Sequence, residues 1–310
     1  MKKKFIFLSL ILFTAYILLF PKDAVAASSA GLVLWYEQIL PTLLPFSILS
    51  YILIASGYLK YLIRPLAPIL CHIFPVSENG AFVLLSGFLF GFPMGSKNCA
   101  ELLKNGQLSK EEADVLFLVT NNISPVFISS FILHRQLALP SHIAASYLLL
   151  YLPPLAYGWY ALRKVRRLSP PSTVKRPASR SQMNFKIIDA GIMNGFETLT
   201  RLGGYIMLFS MLASMIQKLR LPVSAQLLLT GLTEITNGVS MIPQTIQNPA
   251  ARYILAMAFT AFGGLSGIAQ TSSMIKDTHL SLVSYCTFKI WFMLCSGALA
   301  WLVTLWLPVC

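Results

Sequence analysis

Two polar interruptions of apolar sequence carry the residue types that could bind a solute inside a membrane. In the first, Asn121, Asn122 and Ser124 stand directly before Pro125, with apolar residues on both sides. Proline removes a backbone donor and clashes with the carbonyl group one turn back, so a helix should kink or unwind here. The amide and hydroxyl groups would then be available to a solute. The same residue types also join membrane helices to each other, so packing is the alternative interpretation.

The second interruption lies late in the chain and repeats this arrangement with different residues. Gly263 and Gly264 weaken a helix, and Ser266 and Gln270 follow within the same apolar segment. If the two interruptions face each other near the middle of a membrane, their broken helix ends would form a binding site with partial charges. Binding and packing are equally compatible with Ser266 and Gln270.

Glu234, in the sequence TGLTEITNG, is the charged residue that most strongly suggests function. It lies between apolar residues 227–229 and 239–242, and Asn237 follows three positions later. Ionisable groups at membrane depth are costly, and they often mark the path of an ion or substrate. The alternative is a protonated carboxyl group bonded to a neighbouring helix. We expect Glu234 and Asn237 to contribute to a solute site.

Other kinds of chemistry have no support in the sequence. The segment Ser86–Asn98 contains glycines and Lys97 but does not fit a phosphate-binding loop, which needs four residues between its glycines and Lys before Ser or Thr. Neither the cysteines nor the histidines have metal-site spacing, and no Gly-x-Ser-x-Gly motif is present. We predict no catalytic residues, no metal and no cofactor, and therefore no enzyme.

The composition indicates which elements must position these residues. Of 310 residues 56% are hydrophobic and 11% are charged, against roughly 25% charged in soluble domains. A membrane-spanning helix needs about 20 mostly apolar residues, fewer where the helix is broken. The long apolar runs are 5–20, 45–59, 81–94, 115–133, 143–162, 202–216, 253–268 and 288–307. We therefore predict an all-α polytopic membrane protein surrounded by lipid.

The net charge of +13 is a topology signal and does not predict nucleic-acid binding. Basic residues gather in polar connections, above all in the segment 163–186, and short basic loops stay in the cytoplasm. This segment contains Pro and Ser where a nucleic-acid surface would need interleaved aromatics. At the N-terminus, a basic start and an apolar stretch precede Ala24-Val25-Ala26, so a retained helix and a cleaved signal peptide are both open.

The two halves of the chain repeat several features in the same order. Gly31, Glu37 and Ser50 have the same spacing as Gly191, Glu197 and Ser210, and each half continues with a glycine-bearing segment and then a polar break. The basic loops place equivalent segments in opposite directions across the membrane, as in an inverted repeat. The predicted parts are an N-terminal membrane helix or signal-like segment at 1–30, a first repeat at 31–163, a basic cytoplasmic linker at 164–187 and a second repeat at 188–310.

The glycines at Gly87, Gly91 and Gly95 are predicted to support helix packing beside a helix break at Pro93. Small residues four positions apart let helices approach closely, and Lys97 would extend to the cytoplasmic interface. Pro125, Gly263 and Gly264 are assigned the same role of breaking or packing helices. Farther along, Ser109 is expected to cap a helix with Glu112 in a capping box, and Glu112 is expected to be solvated.

Four segments together resemble the YlbJ type of sporulation integral membrane protein, whose members carry duplicated nucleoside-recognition, or Gate, domains. The segments are GFLFGFPMGSKN, NNISPVF, GLTEITNG and FGGLSGIAQ. Members of this family more often have Tyr at the position of Phe92. The resemblance implies a multi-pass cell-membrane protein of endospore formation, placed in the membrane around the forespore. Related Gate domains occur in concentrative nucleoside transporters and in ferrous-iron transporter B.

Two functions follow as alternatives. One is a transporter or gate for a small polar solute such as a nucleoside, with both repeats forming Gate-like halves. The other is a membrane scaffold or assembly factor that moves no solute and recruits sporulation partners through its basic loops. A homo-oligomer is compatible with both. An enzyme with an intramembrane active site is the least supported class.

Overall fold

The computed structural model describes residues 2–168, 184–307 and 309, and all of its regular elements are helices. Residues 169–183, which make up most of the predicted basic linker, lie outside the described residues. Four helices are long and apolar enough to cross a membrane, and a bent pair raises this number to five. The four are Pro21–Ser56, Phe185–Gln217, Pro249–Met274 and Leu282–Trp306. The prediction of an all-α polytopic membrane protein is confirmed.

The first half contains the long helical segment Pro21–Ser56, the long helix Ile143–Leu168 and several shorter helices between them. A π-helical segment, Trp35–Ile39, joins the helices Pro21–Leu34 and Leu40–Ser56, and a second, Ile128–Gln136, continues the short helix Pro125–Phe127. The helices are α1 (Lys2–Leu19), α2 (Pro21–Leu34), α3 (Leu40–Ser56), α4 (Leu59–Ile63), α5 (Ala67–Ile73), α6 (Glu78–Phe90), α7 (Met94–Lys104), α8 (Lys110–Val119), α9 (Pro125–Phe127) and α10 (Ile143–Leu168).

The second half has the same order of a long helix, two interrupted helices and a closing helix. Its helices are α11 (Phe185–Gln217), α12 (Val223–Thr233), α13 (Ile235–Thr245), α14 (Pro249–Phe262), α15 (Gly264–Met274) and α16 (Leu282–Trp306). The interruption between α12 and α13 corresponds in order to the one between α6 and α7. The interruption between α14 and α15 corresponds to the one between α8 and α9.

The long helices of the two halves pack side by side and run antiparallel. Residues farther along the segment from α2 to α3 contact residues that come earlier in α11. The contacts pair Gly31 with Ser210, Trp35 with Gly203, Ile48 with Gly195 and Ile52 with Gly191. Trp35 also donates a hydrogen bond from Nε1 to the Leu199 carbonyl oxygen, at 2.7 Å. Because both helices are candidate spans, they cross the membrane in opposite directions. The inverted repeat of the complete halves stays a prediction.

The short segment before α6 forms a bent unit. Helix α5 meets α6 at about 90°, and the pair qualifies as a broken span or a re-entrant loop. Ser77 caps α6 by accepting from the backbone N–H of Gly80, at 3.0 Å. The main core, formed mostly by residues of α6, α8, α10, α14 and α16, lies behind the two sets of helix interruptions.

Candidate functional site

In the first half, two helix interruptions cross in direct contact. Helix α6 ends at Phe90, and the backbone N–H of Phe92 donates a hydrogen bond to the carbonyl oxygen of Asn122, at 2.6 Å. Gly91 has φ +73°, and a Cβ there would lie 2.6 Å from the backbone nitrogen of Ser124. Glycine is therefore required here both for its backbone angle and for the close approach.

In the second half, the corresponding interruptions also meet. Glu234 adopts an extended conformation between α12 and α13, with φ −146° and ψ 121°. Gly263, between α14 and α15, and Gly264, the first residue of α15, have φ +78° and +74°. A Cβ at Gly264 would lie 3.1 Å from the carbonyl oxygen of Thr233. Each half thus brings two interrupted helices together at their non-helical residues.

A cavity of about 720 Å³ opens between these crossings. Its lining is mainly apolar, and four phenylalanines form an aromatic part of it: Phe90, Phe92, Phe127 and Phe131. Among its polar lining residues are Ser124, Glu234 and Gln270, which the sequence had singled out. Glu37 and Arg135 also line the cavity, and both are exposed, so they mark its open side.

Glu234 is 3% exposed, and its two carboxylate oxygens have different surroundings. Oε2 accepts hydrogen bonds from the hydroxyl group of Thr236 and from the backbone and side-chain nitrogens of Asn237, both at 2.9 Å. This oxygen caps the N-terminus of α13, where the helix dipole favours a negative charge. Oε1 has no hydrogen-bond partner among the described residues, and Glu234 is one of the residues that line the cavity.

The remaining polar candidates support the lining from behind. Gln270 donates a hydrogen bond from Nε2 to the hydroxyl oxygen of the buried Ser266, at 2.8 Å. Asn237 donates from Nδ2 to the hydroxyl oxygen of Ser210 on α11, at 3.3 Å. Ser266 therefore orients Gln270, and Asn237 joins α13 to α11, while neither lines the cavity.

Asn121 and Asn122 lie outside the cavity and connect the two halves. Asn121 donates from Nδ2 to the hydroxyl oxygens of Thr271, at 2.6 Å, and Tyr285, at 2.8 Å. Asn122 donates from Nδ2 to the Val119 carbonyl oxygen, at 2.6 Å, and its Oδ1 accepts from Lys289 Nζ, at 3.3 Å. In these contacts the two amides act in packing, which was the alternative interpretation for them.

The glycines and prolines of the first half lie around residues 120–125. A Cβ on Gly87 or Gly95 would come within 2.4 or 2.3 Å of the Thr120 carbonyl oxygen. Pro93 precedes α7 and Pro125 begins α9. The carbonyl oxygens freed by the interruption are satisfied by tyrosines of α10: Tyr151 donates to Ile123, at 2.7 Å, and Tyr147 to Pro125, at 3.0 Å. Backbone groups at membrane depth need such internal partners.

Two expectations about charged residues were wrong. Lys97 does not extend to an interface: it is 4% exposed, and Nζ donates to the hydroxyl oxygen of Ser47, at 2.5 Å. Its position in the first turns of α7, directly after the interruption, points it inward against α3. Glu112 is not solvated either: it is 9% exposed, and Oε1 accepts from the backbone N–H of Ser77, at 2.6 Å. Ser109 caps α8 as expected, accepting from the N–H of Glu112 at 3.3 Å.

Several polar residues in the interior were missed from the sequence. Asn98 accepts from Ser50 at 2.7 Å and donates to Ser86 at 3.0 Å, so it links α7 to α3 and α6. Lys289 is buried within α16. A single lysine inside an apolar run was the signal that could have identified it, because a buried cation in a membrane helix needs a partner. Within the described ranges, no group of three or more His, Cys, Asp or Glu residues could hold a metal ion.

The fold and the site define a multi-pass helical membrane protein. Residues 37–139 match the family model of the Gate domain, which is described as nucleoside recognition. Over 305 residues the chain is 28% identical to the sporulation integral membrane protein YlbJ of Bacillus subtilis (strain 168), covering 86% of this chain and 74% of that protein. No solved structure matches the chain significantly.

The resemblance drawn from the sequence motifs is confirmed by these two matches. The Gate match falls within the predicted first repeat, 31–163, and includes the interruptions at Gly91 and at residues 120–124. A second Gate-like copy at 188–310 stays a prediction. It has the same order of long, interrupted and closing helices.

Proposed function

We propose that this chain is a membrane protein of endospore formation that binds a small polar solute and moves it across the membrane around the forespore. The observation that carries the proposal is the cavity between the helix crossings, which the buried Glu234 lines. Its volume of about 720 Å³ is in the range of small-molecule sites, roughly 300–1,000 Å³. The sporulation role is supported by the name of the Bacillus subtilis relative.

The chemistry of the lining indicates the class of solute. Four phenylalanines offer apolar faces to a planar ring, and Glu234, Gln270 and Ser124 offer acceptors and donors to polar substituents. A nucleoside combines such a ring with such substituents, and the Gate domain is described as nucleoside recognition. Neither that description nor the relative's name includes an enzymatic reaction.

The proposal is tested with purified protein in two assays. Thermal unfolding in detergent is measured against a panel of nucleosides, nucleobases, sugars and amino acids, and flux of any stabilising solute is then measured in proteoliposomes. We expect saturable stabilisation by one chemical class and flux that Gln270→Leu reduces. Glu197→Gln is the control, because Glu197 is exposed and is not among the cavity-lining residues.

A scaffold without transport gives a different set of results. No solute in the panel would stabilise the protein, and Glu234→Gln in the sporulating host would leave spore formation intact. Deletion of 169–181, by contrast, would abolish sporulation if the linker recruits partners. That combination of results would exclude the transport proposal.

A further inference from the structure

Lys289 is a buried lysine with no acidic partner among the described residues. It lies in α16, is 2% exposed, and forms no salt bridge with a carboxylate of the described residues. Nζ donates to the Ala261 carbonyl oxygen, at 3.2 Å, and to Asn122 Oδ1, at 3.3 Å. An ammonium group at membrane depth is costly unless fixed dipoles replace its water. An ammonium group persists at this position only where its surroundings favour positive charge.

A helix end and a fixed amide supply that preference. Ala261 belongs to the last turn of α14, where carbonyl groups lack their helical donors and carry a partial negative charge. The Asn122 amide is held by its bond from Nδ2 to the carbonyl oxygen of Val119, the last residue of α8. One carbonyl oxygen at a helix C-terminus and one fixed amide oxygen therefore accept from the ammonium group.

Further groups at this position also favour a cation. The ring centroids of Tyr285 and Phe292, one turn before and after Lys289 on α16, lie 5.6 and 5.3 Å from Nζ. Rings at such distances attract a cation electrostatically. The crossing thus contains neutral oxygens and aromatic faces, which are typical surroundings for a monovalent cation.

We propose that the crossing of α8, α14 and α16 is a monovalent-cation site that Lys289 fills with its own ammonium group. The native chain consequently needs no bound cation there. Removing the ammonium group leaves the Ala261 and Asn122 oxygens unpaired, and the vacated position then accepts Na⁺ or a small alkylammonium ion. This site is separate from the solute cavity, because Lys289, Ala261 and Asn122 are not among the cavity-lining residues.

The test is thermal unfolding of the purified full chain in detergent, at constant ionic strength. NaCl or methylammonium chloride replaces choline chloride stepwise. Lys289→Ala is expected to unfold about 5 °C below the native protein in choline. Na⁺ or methylammonium should restore most of this loss in a saturable manner. Lys276→Ala, at an exposed position near the same helix, is the matched control and should respond to none of these ions.

The native protein and a second variant keep the proposal falsifiable. Unfolding of the native protein should not depend on which cation is present, because Lys289 occupies the site. Lys289→Met retains the length and apolar contacts of the side chain, and it should unfold below the native protein even if Lys289→Ala does not fold. The proposal is overturned if Lys289→Met is as stable as the native protein. It is also overturned if Na⁺ and methylammonium stabilise Lys289→Ala no more than choline does.

Discussion

The backbone N–H of Phe92 and the carbonyl oxygen of Asn122 are joined by a hydrogen bond of 2.6 Å. The bond fastens the interruption after α6 to the interruption after α8. It satisfies a donor and an acceptor that broken helices would otherwise leave unpaired, which is the condition for irregular backbone at membrane depth. The position of the cavity wall formed by Phe92 depends on this contact.

Gly91→Ala should strongly destabilise the protein. Alanine would have to adopt the positive φ of Gly91, and its Cβ would lie 2.6 Å from Ser124 N. We expect a loss of about 3 kcal/mol in the free energy of unfolding. The measurement is denaturant or thermal unfolding in detergent. Gly204→Ala is the matched control, because its added Cβ would have no atom of the described residues within 4 Å apart from its own helix backbone and chain neighbours. Equal stability of the two variants would contradict the crossing described here.

Two substitutions of Glu234 should distinguish its role as a helix cap from its proposed role in solute binding. Glu234→Gln keeps a carbonyl oxygen that can accept from Thr236 and Asn237, so stability should change little. Glu234→Ala removes the cap and should cost about 1 kcal/mol. Both variants should reduce solute uptake at least tenfold, because the charge at the cavity is lost. Uptake in proteoliposomes and unfolding in detergent are measured on the same preparations. Native uptake by Glu234→Gln would remove Glu234 from the site.

Tyr285→Phe should lower stability without changing solute affinity. Tyr285 is buried, and its hydroxyl group bonds Asn121 outside the cavity. Loss of that hydroxyl leaves a buried amide with fewer partners and should cost about 2 kcal/mol. The midpoint of unfolding and the solute dissociation constant are the two measurements. Tyr160→Phe, at an exposed position, is the control. A changed affinity would place Asn121 in solute binding after all.

Lys97 should resist acylation in the folded protein. Its ammonium group is buried against Ser47, whereas Lys104 in the last turn of the same helix is exposed. Brief treatment with a water-soluble amine-reactive reagent, followed by mass spectrometry, should modify Lys104 and leave Lys97 unmodified. Unfolded protein serves as the reference in which both react. Equal labelling in the folded state would support the interfacial position predicted from the sequence.

The antiparallel packing of the long helices predicts which of their ends share a side of the membrane. Lys218, after α11, forms a 2.8 Å ion pair with Asp23 at the start of α2. Cysteines introduced at Lys22 and Lys218 should therefore be labelled from the same side. Cysteines at Lys60 and Lys186 should be labelled from the opposite side. The background is the chain with its native cysteines replaced by Ser, in sealed vesicles. Labelling of Lys22 and Lys218 from different sides would contradict the antiparallel arrangement.

The sequence identified the interruptions because proline and paired glycines have strong local effects on a helix. Pro125, Gly263 and Gly264 all stand at helix ends in the structure. What these residues do not determine is which side of each interruption faces the cavity. Asn121 and Ser124 are three positions apart, yet one is bonded to Tyr285 and the other lines the cavity. That choice depends on tertiary packing.

Buried charges were the other feature that the sequence left undetermined. Lys97 follows an apolar segment and reads as an interfacial residue, but the turn at Pro93 directs α7 back against α3. Glu112 reads as part of a solvated first turn, but the 90° bend before α6 brings the N–H of Ser77 to its carboxylate. For both residues, contacts with distant parts of the chain bury a charged group that the local sequence predicts to be exposed.

If a solute binds to Glu234 in the cavity, its binding is coupled to the start of α13, because Oε2 of Glu234 caps that helix. A solute that donates only to Oε1 leaves the helix end intact and adds a partner to an already fixed carboxylate. A solute that takes Oε2 has to displace the Thr236 hydroxyl group and both Asn237 donors, and the first turn of α13 loosens with it. Amide hydrogen exchange at Asn237 therefore reports how a bound solute uses this carboxylate.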